Sequence, residues 1–259
     1  MQTLHAKLSA SSSDRWLACP GSIRLSEGVE QTTSVYAEEG TRAHELAAEI
    51  LRNFPINITE YEPEILNNVL IYTDYVQSIP KDKILIEHKF DLSHLYPNMF
   101  GTSDSTIYQA KTKTLHVIDL KFGKGIFVKA ENNTQLLYYA LGAFEEMKLP
   151  IREIQMTIVQ PRYKSEDKIR SHLIHASDLY DFSIDLIEGA KKTEDINAPL
   201  VKGFHCKFCP AKRICPEHTK NSNEIAKSVF STFQDEESSI QSKNAMSLDE
   251  LLNLTRHGG

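Results

Sequence analysis

The chain has 259 residues, of which 41% are hydrophobic and 25% charged, and a formal net charge of −6 at pH 7. Such a chain can bury a proper core, and its balance is that of an ordinary soluble globular protein. No apolar run approaches the ~20 residues that span a bilayer, residues 1–16 lack the apolar stretch of a signal peptide, and the acidic balance speaks against a general nucleic-acid coat while allowing local basic patches.

Ser11, Ser12, Ser13 and Asp14 are N-cap candidates for a short helix carrying Trp16, Leu17 and Cys19. A second helix is predicted over 37–53, with Ala43, Leu46, Ala47 and Ile50 on one face. Gly40 weighs against its first turn, which makes a start one turn later an alternative. A third helix fits 63–79 and is closed by Pro80. The period then changes. Segments 83–92, 102–109 and 114–122 read as strands, the last two joined by 110–113, short enough for a hairpin. A helix from Asn133 to Met147 follows, ended by Pro150. Strands over 153–163 and 168–176 lead to a helix over 176–192, with Ser177 or Asp178 near its cap. Beyond His218 the chain turns polar, with one or two short helices, the last over 248–257.

The cysteines are unevenly placed. Cys206, Cys209 and Cys215 crowd into GFHCKFCPAKRICPEH, whereas Cys19 stands alone in DRWLACPGS. A triplet with one remote partner is a poor disulfide framework and a good metal site. Without a leader, a cytosolic location follows, and there C-x2-C spacing favours metal or redox chemistry. Two ligand sets are open. Cys19, Cys206, Cys209 and Cys215 offer the four thiolates that suit a 4Fe–4S cluster. Cys206, Cys209, Cys215 and His218 offer a local Cys3His zinc site, with Cys19 an incidental buried thiol.

Between the cysteines, three residues suit metal-dependent phosphodiester hydrolysis. Asp104 lies in GTSD at the start of the second strand, and Asp119 and Lys121 lie in VIDLK at the end of the third. Alternation puts Asp119 and Lys121 on one face and turns Leu120 into the core. Two carboxylates from adjacent strands can hold a hard cation such as Mg²⁺. An aspartate at a strand end is also a common turn residue, so D-x-K alone is weak.

GTSD, VIDLKFGKG and NTQLLYYALGA together resemble the successive motifs of the PD-(D/E)XK nuclease superfamily. The likeness is to the RecB/AddB-like iron–sulfur exonuclease branch, which includes CRISPR-associated exonucleases. Within that branch the chain is more similar to a phage and prophage family in which LSASSSxRWLxCPGS, AxEGTxAHEL, IDxKxGKG, NxQLxxYALGA and IVQPR recur in order. The resemblance covers residues 8 to 218. It implies an α/β fold, a mixed central sheet flanked by helices, with N- and C-terminal segments joined by an Fe–S cluster. The segments would be an N-terminal helical part (1–55), a nuclease core (56–200), a cysteine segment (201–218) and a polar tail (219–259).

By the same resemblance Asp104 and Asp119 are metal ligands for Mg²⁺ or Mn²⁺, joined by His44 from GTRAHEL and the Leu120 carbonyl. Lys121 is the catalytic lysine, and Gln135 and Tyr139 are the Q-x-x-x-Y pair, whose spacing puts both on one helix face. Tyr138 reads as core. Glu87 is a weaker candidate acid, an exposed strand charge being simpler. Lys124, Lys129 and Arg162 are candidate phosphate contacts, and Lys202, Lys207, Lys212 and Arg213 flank the cysteines. GKG at 123–125 is not a Walker A loop, so no ATPase motor is expected.

The implied activity is a Mg²⁺- or Mn²⁺-dependent DNA exonuclease that leaves a 5′-phosphate. Its setting would be phage or prophage recombination or replication in the cytoplasm of a bacterial host. Single-stranded DNA or duplex ends, recombination or single-strand-binding proteins, and an oligomer are the implied partners, with no membrane. The rivals are a non-catalytic DNA-binding or scaffold subunit of the same fold and a zinc-binding interaction protein.

Overall fold

The computed structural model describes residues 6–29 and 35–220. The helix expected over 248–257 lies outside them. At the N-terminal end the serine run forms a 3-10 turn, Ala10–Ser12, leading into α1 (Ser13–Ala18). Ser13 Oγ donates to Ala10 O at 2.7 Å and also meets Thr134 Oγ1 at 2.7 Å, tying this start to a helix far along the chain. Cys19 falls just past α1, not on it, and a helix absent from the sequence reading, α2 (Gly21–Leu25), follows.

Helix α3 (Val35–Leu51) begins before Gly40. The glycine costs about 1 kcal/mol, and burial of Ala43, Leu46 and Ala47 in the following turns outweighs it. Helix α4 (Pro63–Ser78) starts on proline, whose fixed φ suits a first turn.

Strands β1 (Lys83–Asp91), β2 (Phe100–Gln109) and β3 (Thr114–Leu120) form an antiparallel meander. β2 starts two residues earlier than expected, which moves Asp104 from the strand's beginning to its middle. Helix α5 (Thr134–Met147) is capped by Asn133, whose Oδ1 accepts from Leu136 N at 3.1 Å. It carries the chain over to β4 (Glu153–Val159), which pairs in parallel with β3. β5 (Ile169–His175) closes the sheet antiparallel, in the order β1-β2-β3-β4-β5, before α6 (Asp178–Lys192). Both β3 and β4 end short of the expected Phe122 and Tyr163, because their C-terminal continuations leave the sheet to build a cleft.

The sheet is therefore mixed, with helices on both faces. On one face Leu46, Val69, Tyr72 and Val76 of α3 and α4 pack with Ile107, Ile118 and Leu120. On the other, Trp16 of α1, Leu136 and Tyr138 of α5, and Leu186 of α6 pack with Leu115, Val117 and Met156. Tyr138 is core, as expected.

This packing differs from the expected segmentation. Residues 1–55 supply helices to both cores, so no boundary falls between them and 56–200. The compact unit instead runs to Pro210, and Ala211 onward belongs to a second unit, so the cysteine segment is divided. In that second unit Thr219 N donates to Cys215 O at 3.0 Å, one helical turn. Among the described residues no helix is long and apolar enough to cross a membrane.

Candidate metal centre

Three strands deliver one acid each. Ile86 pairs with Ser105 and His88 with Ser103, which sets Glu87 opposite Asp104. Ser105–Ile118 is the terminal rung between β2 and β3, and one further step sets Asp104 opposite Asp119. Glu87, Asp104 and Asp119 thus form a row across three neighbouring strands. Glu87 has φ +46, a left-handed conformation rare for a non-glycine residue within a strand. The kink has a second effect. Leu85 and Phe90 join the same core although strict alternation would put them on opposite faces.

His44 reaches into this row from α3. Its Nδ1 lies 3.1 Å from Asp104 Oδ1 and 3.7 Å from Glu87 Oε1. Burial disfavours a charged imidazole, yet Asp104, Glu87 and Asp119 outweigh it and raise His44 to about 10. Among the described residues, His44, Glu87 and Asp104 form a group whose donor atoms all lie within 4.8 Å of one another. Glu87, the acid that sequence reading ranks lowest, is thus a full member. Its signal, a backbone kink, is invisible in residue spacing.

Asp104 is oriented from its other side by Leu120 N, which donates to Oδ2 at 2.6 Å. The Leu120 side chain is buried with α3 and α4 as expected. Asp119 is 2% exposed, and its Oδ2 has no hydrogen-bond partner. Lys121 Nζ stands 2.9 Å from that oxygen but out of line for a hydrogen bond. Burial is the main cause that lifts the Asp119 carboxyl to about 6, helped by Asp104 and opposed by Lys121 and His44. The Lys121 ammonium donates instead to Gln135 Oε1 at 2.7 Å, and Gln135 Nε2 donates to Tyr139 Oη at 3.0 Å. Burial keeps Tyr139 protonated, so its hydroxyl holds the amide and the amide oxygen holds the lysine. Contacts bring together His44 and Asp104, Asp119 and Lys121, and Lys121, Gln135 and Tyr139, residues that the resemblance groups in one site.

The expected phosphate contacts fare differently. Arg162 is 6% exposed at its side chain and held by Glu39 of α3 (2.6 Å) and Glu64 of α4 (3.2 Å), with its guanidinium over Phe122. It braces helices against the end of β4, leaving no fork for a phosphate. Lys124 pairs with Glu64 at 3.0 Å and Lys129 is exposed. A residue missed in the sequence, Gln160, organises the loop that carries them. It is 1% exposed; its amide donates to Gly123 O (3.2 Å) and Ile126 O (2.7 Å), and its oxygen accepts from Arg170 (2.6 Å) and Val128 N (3.4 Å).

This loop, the start of α5 and the turn Phe204–Phe208 enclose a cleft of about 870 Å³ into which His44, Lys121 and Gln135 face.

The cysteine ends meet through backbone. Gly21 N donates to Pro199 O at 3.1 Å, and a Cβ there would lie 2.5 Å from Ala198 O, so the approach requires glycine. One residue further on, Val201 N donates to Cys19 Sγ at 3.2 Å, and Cys206 Sγ lies 4.0 Å from Val201 O. Cys19 and Cys206 thus both approach the Val201 peptide, and among the described residues the cysteines do not close to the spacing of the His44 group.

Residues 5–256 match the family model described as "Protein of unknown function (DUF2800)", and the chain belongs to that family.

Proposed function

We propose that this member of the family is a Mg²⁺- or Mn²⁺-dependent deoxyribonuclease acting on DNA ends, with a PD-(D/E)XK-like core. The observation that carries the reading is the row Glu87, Asp104, Asp119 with His44 at one end and the Lys121–Gln135–Tyr139 relay at the other.

The donor set fits a hard divalent cation. Carboxylates and one imidazole converge, and one buried Asp119 oxygen, beside the Lys121 ammonium, lacks a hydrogen-bond partner. Asp104, Asp119, Glu87 and His44 would hold the ion, with the Leu120 carbonyl as a further donor. When bound, such an ion lowers the pKa of water and offsets charge on a phosphodiester. The protein's own part is positioning. Leu120 N and His44 fix Asp104, while Tyr139 fixes Gln135 so that its oxygen points the Lys121 ammonium toward the acids. Lys121 then supplies a cation for the phosphate oxygens and a donor that orients the attacking water. Water adds at phosphorus, the P–O3′ bond breaks, and the products are a 5′-phosphate and a 3′-hydroxyl.

We assign Cys19, Cys206, Cys209 and Cys215 to a 4Fe–4S cluster with a structural role, a reading supported by the approach of Cys19 and Cys206 to the Val201 peptide. A cluster contacts each thiolate through a different iron, so single-ion spacing is not required of them.

The test is digestion of labelled linear single- and double-stranded DNA with Mg²⁺ or Mn²⁺, comparing wild type with Asp119→Ala and Lys121→Ala. Cleavage by wild type alone supports the reading. Equal traces from all three overturn it in favour of a binding subunit.

A further inference from the structure

The turn Phe204–Phe208 partitions its side chains the wrong way round for a surface turn. His205 is buried at 9% exposure, with its Nε2 on Val201 O at 2.9 Å, while Phe204 and Phe208 stand 69% and 68% exposed. Placing two phenyl rings in water and an imidazole inside forgoes the ordinary hydrophobic gain. Both rings line the cleft that holds Lys121 and His44, and a third, Phe127 at 40% exposed, lines the same cleft. Phe208 and His205 also border a second trough of about 520 Å³, which shares Ser11 and Asp14 with the first and balances Lys7 and Arg15 against Asp14 and Glu27, with Lys7 paired to Glu27 at 2.7 Å. His44 and Lys121, the rings and this charge-balanced trough thus adjoin through shared residues.

We propose that Phe204 and Phe208 are a stacking platform that selects unpaired DNA bases and threads a single strand from the trough toward the metal centre. A flat ring takes a base only when the base face is free, and duplex bases already stack on one another. The charges favour stacking over a phosphate-driven grip. Asp14 and Glu131 line the cleft beside Lys129, and the chain as a whole is acidic, so binding depends weakly on salt. The proposal rests on the hydrolase reading for the direction of the strand, and its test scores binding apart from cleavage.

The experiment is fluorescence anisotropy of labelled oligothymidylate and of a blunt duplex with the full chain in EDTA, using wild type, Phe204→Ala/Phe208→Ala and Phe208→Trp. Expected is a preference for the single strand, lost about tenfold to a hundredfold in the double variant at an unchanged melting temperature. Phe208→Trp, which keeps a flat ring, retains it. Ring-independent binding, or a steep salt dependence shared by all variants, overturns the proposal. So does an oligomer that dissociates in the double variant with strand affinity intact, which would assign the rings to a second copy. Ring-dependent binding without Mg²⁺- or Mn²⁺-dependent cleavage supports the platform and refutes the hydrolase. Cleavage with ring-independent binding does the reverse.

Discussion

Replacing Gln160 with leucine tests whether the cleft is built by one buried amide. The side chain is 1% exposed and makes four hydrogen bonds, two donated to loop carbonyls, one accepted from Val128 N and one from the Arg170 guanidinium. Leucine fills a similar volume and satisfies none of them. Neutral bonds contribute about 1 kcal/mol each and a charged one about twice that, so the loss comes to about 5 kcal/mol. In a domain of this size that is a fall in melting temperature of about 10–20 °C. Urea denaturation of the full chain gives the free energy, and limited proteolysis reports opening of 121–133. DNA cleavage should fall with loop order. The thermal shift induced by Mn²⁺ should survive, because His44, Glu87 and Asp104 are untouched. A loss below about 1 kcal/mol, ordinary for a surface change, would refute the reasoning.

On the proposed cation site, wild type should gain about 2.7 kcal/mol at a hundred times the Mn²⁺ dissociation constant and Asp104→Asn should not; calorimetric melts with and without the metal check it. Burial holds His116 down to about 4, against 6.5 when unfolded. The unfolded chain therefore takes up the proton first, so stability is full above pH 6.5 and lost as pH falls toward 4, by about 3 kcal/mol. His116→Gln, which keeps a partner for Thr157 Oγ1, should flatten that slope, and parallel pH curves for the two proteins would contradict it. Gly142→Ala normally strengthens a helix by about 1 kcal/mol, but here the new Cβ would lie 2.5 Å from Phe90 Cβ. Overpacking at about 1–3 kcal/mol should win, and a raised melting temperature would show that it does not. On the proposed cluster assignment, Cys19→Ser should lose iron and colour on anaerobic purification, while zinc without iron in both proteins would favour the local site with His218.

The parts of the fold that were legible in the sequence are those where local pattern and packing agree. Helix α4 announces itself by proline and a stripe at helical spacing, and β3 by a run of apolar residues. Spacing pairs Asp119 with Lys121 and Gln135 with Tyr139, because two residues along a strand, or four along a helix, return to the same side, while the meeting of the two pairs was implied by the resemblance. Glu87 was ranked too low, as a weaker candidate, since a single left-handed residue re-aims its side chain and resets the alternation of β1. Gln160 and Arg162 share one short motif and look alike as polar residues near the end of the strand expected over 153–163. Only contacts across more than thirty residues, from Gly123 and Ile126 to the former and from Glu39 to the latter, give each its task. Helix α2 was missed because Gly21 marks a close approach to Ala198, not a break.

The docking of residues 8–18 sets a schedule. Trp16, the sole tryptophan, is wholly buried, its indole donates to Ser9 O, and α1 packs against α5 and α6. Ser13 and Leu8 meet Thr134 and Tyr138 on the helix that carries Gln135 and Tyr139. A segment made before α5 and α6 is therefore among the last to find its place, waiting for more than a hundred residues to be made. Closing so long a loop is slow, and its apolar side stays open to chaperones meanwhile. The lone indole makes that wait observable. Its change in fluorescence during refolding should coincide with completion of the lysine relay, a built-in clock for when the protein becomes competent.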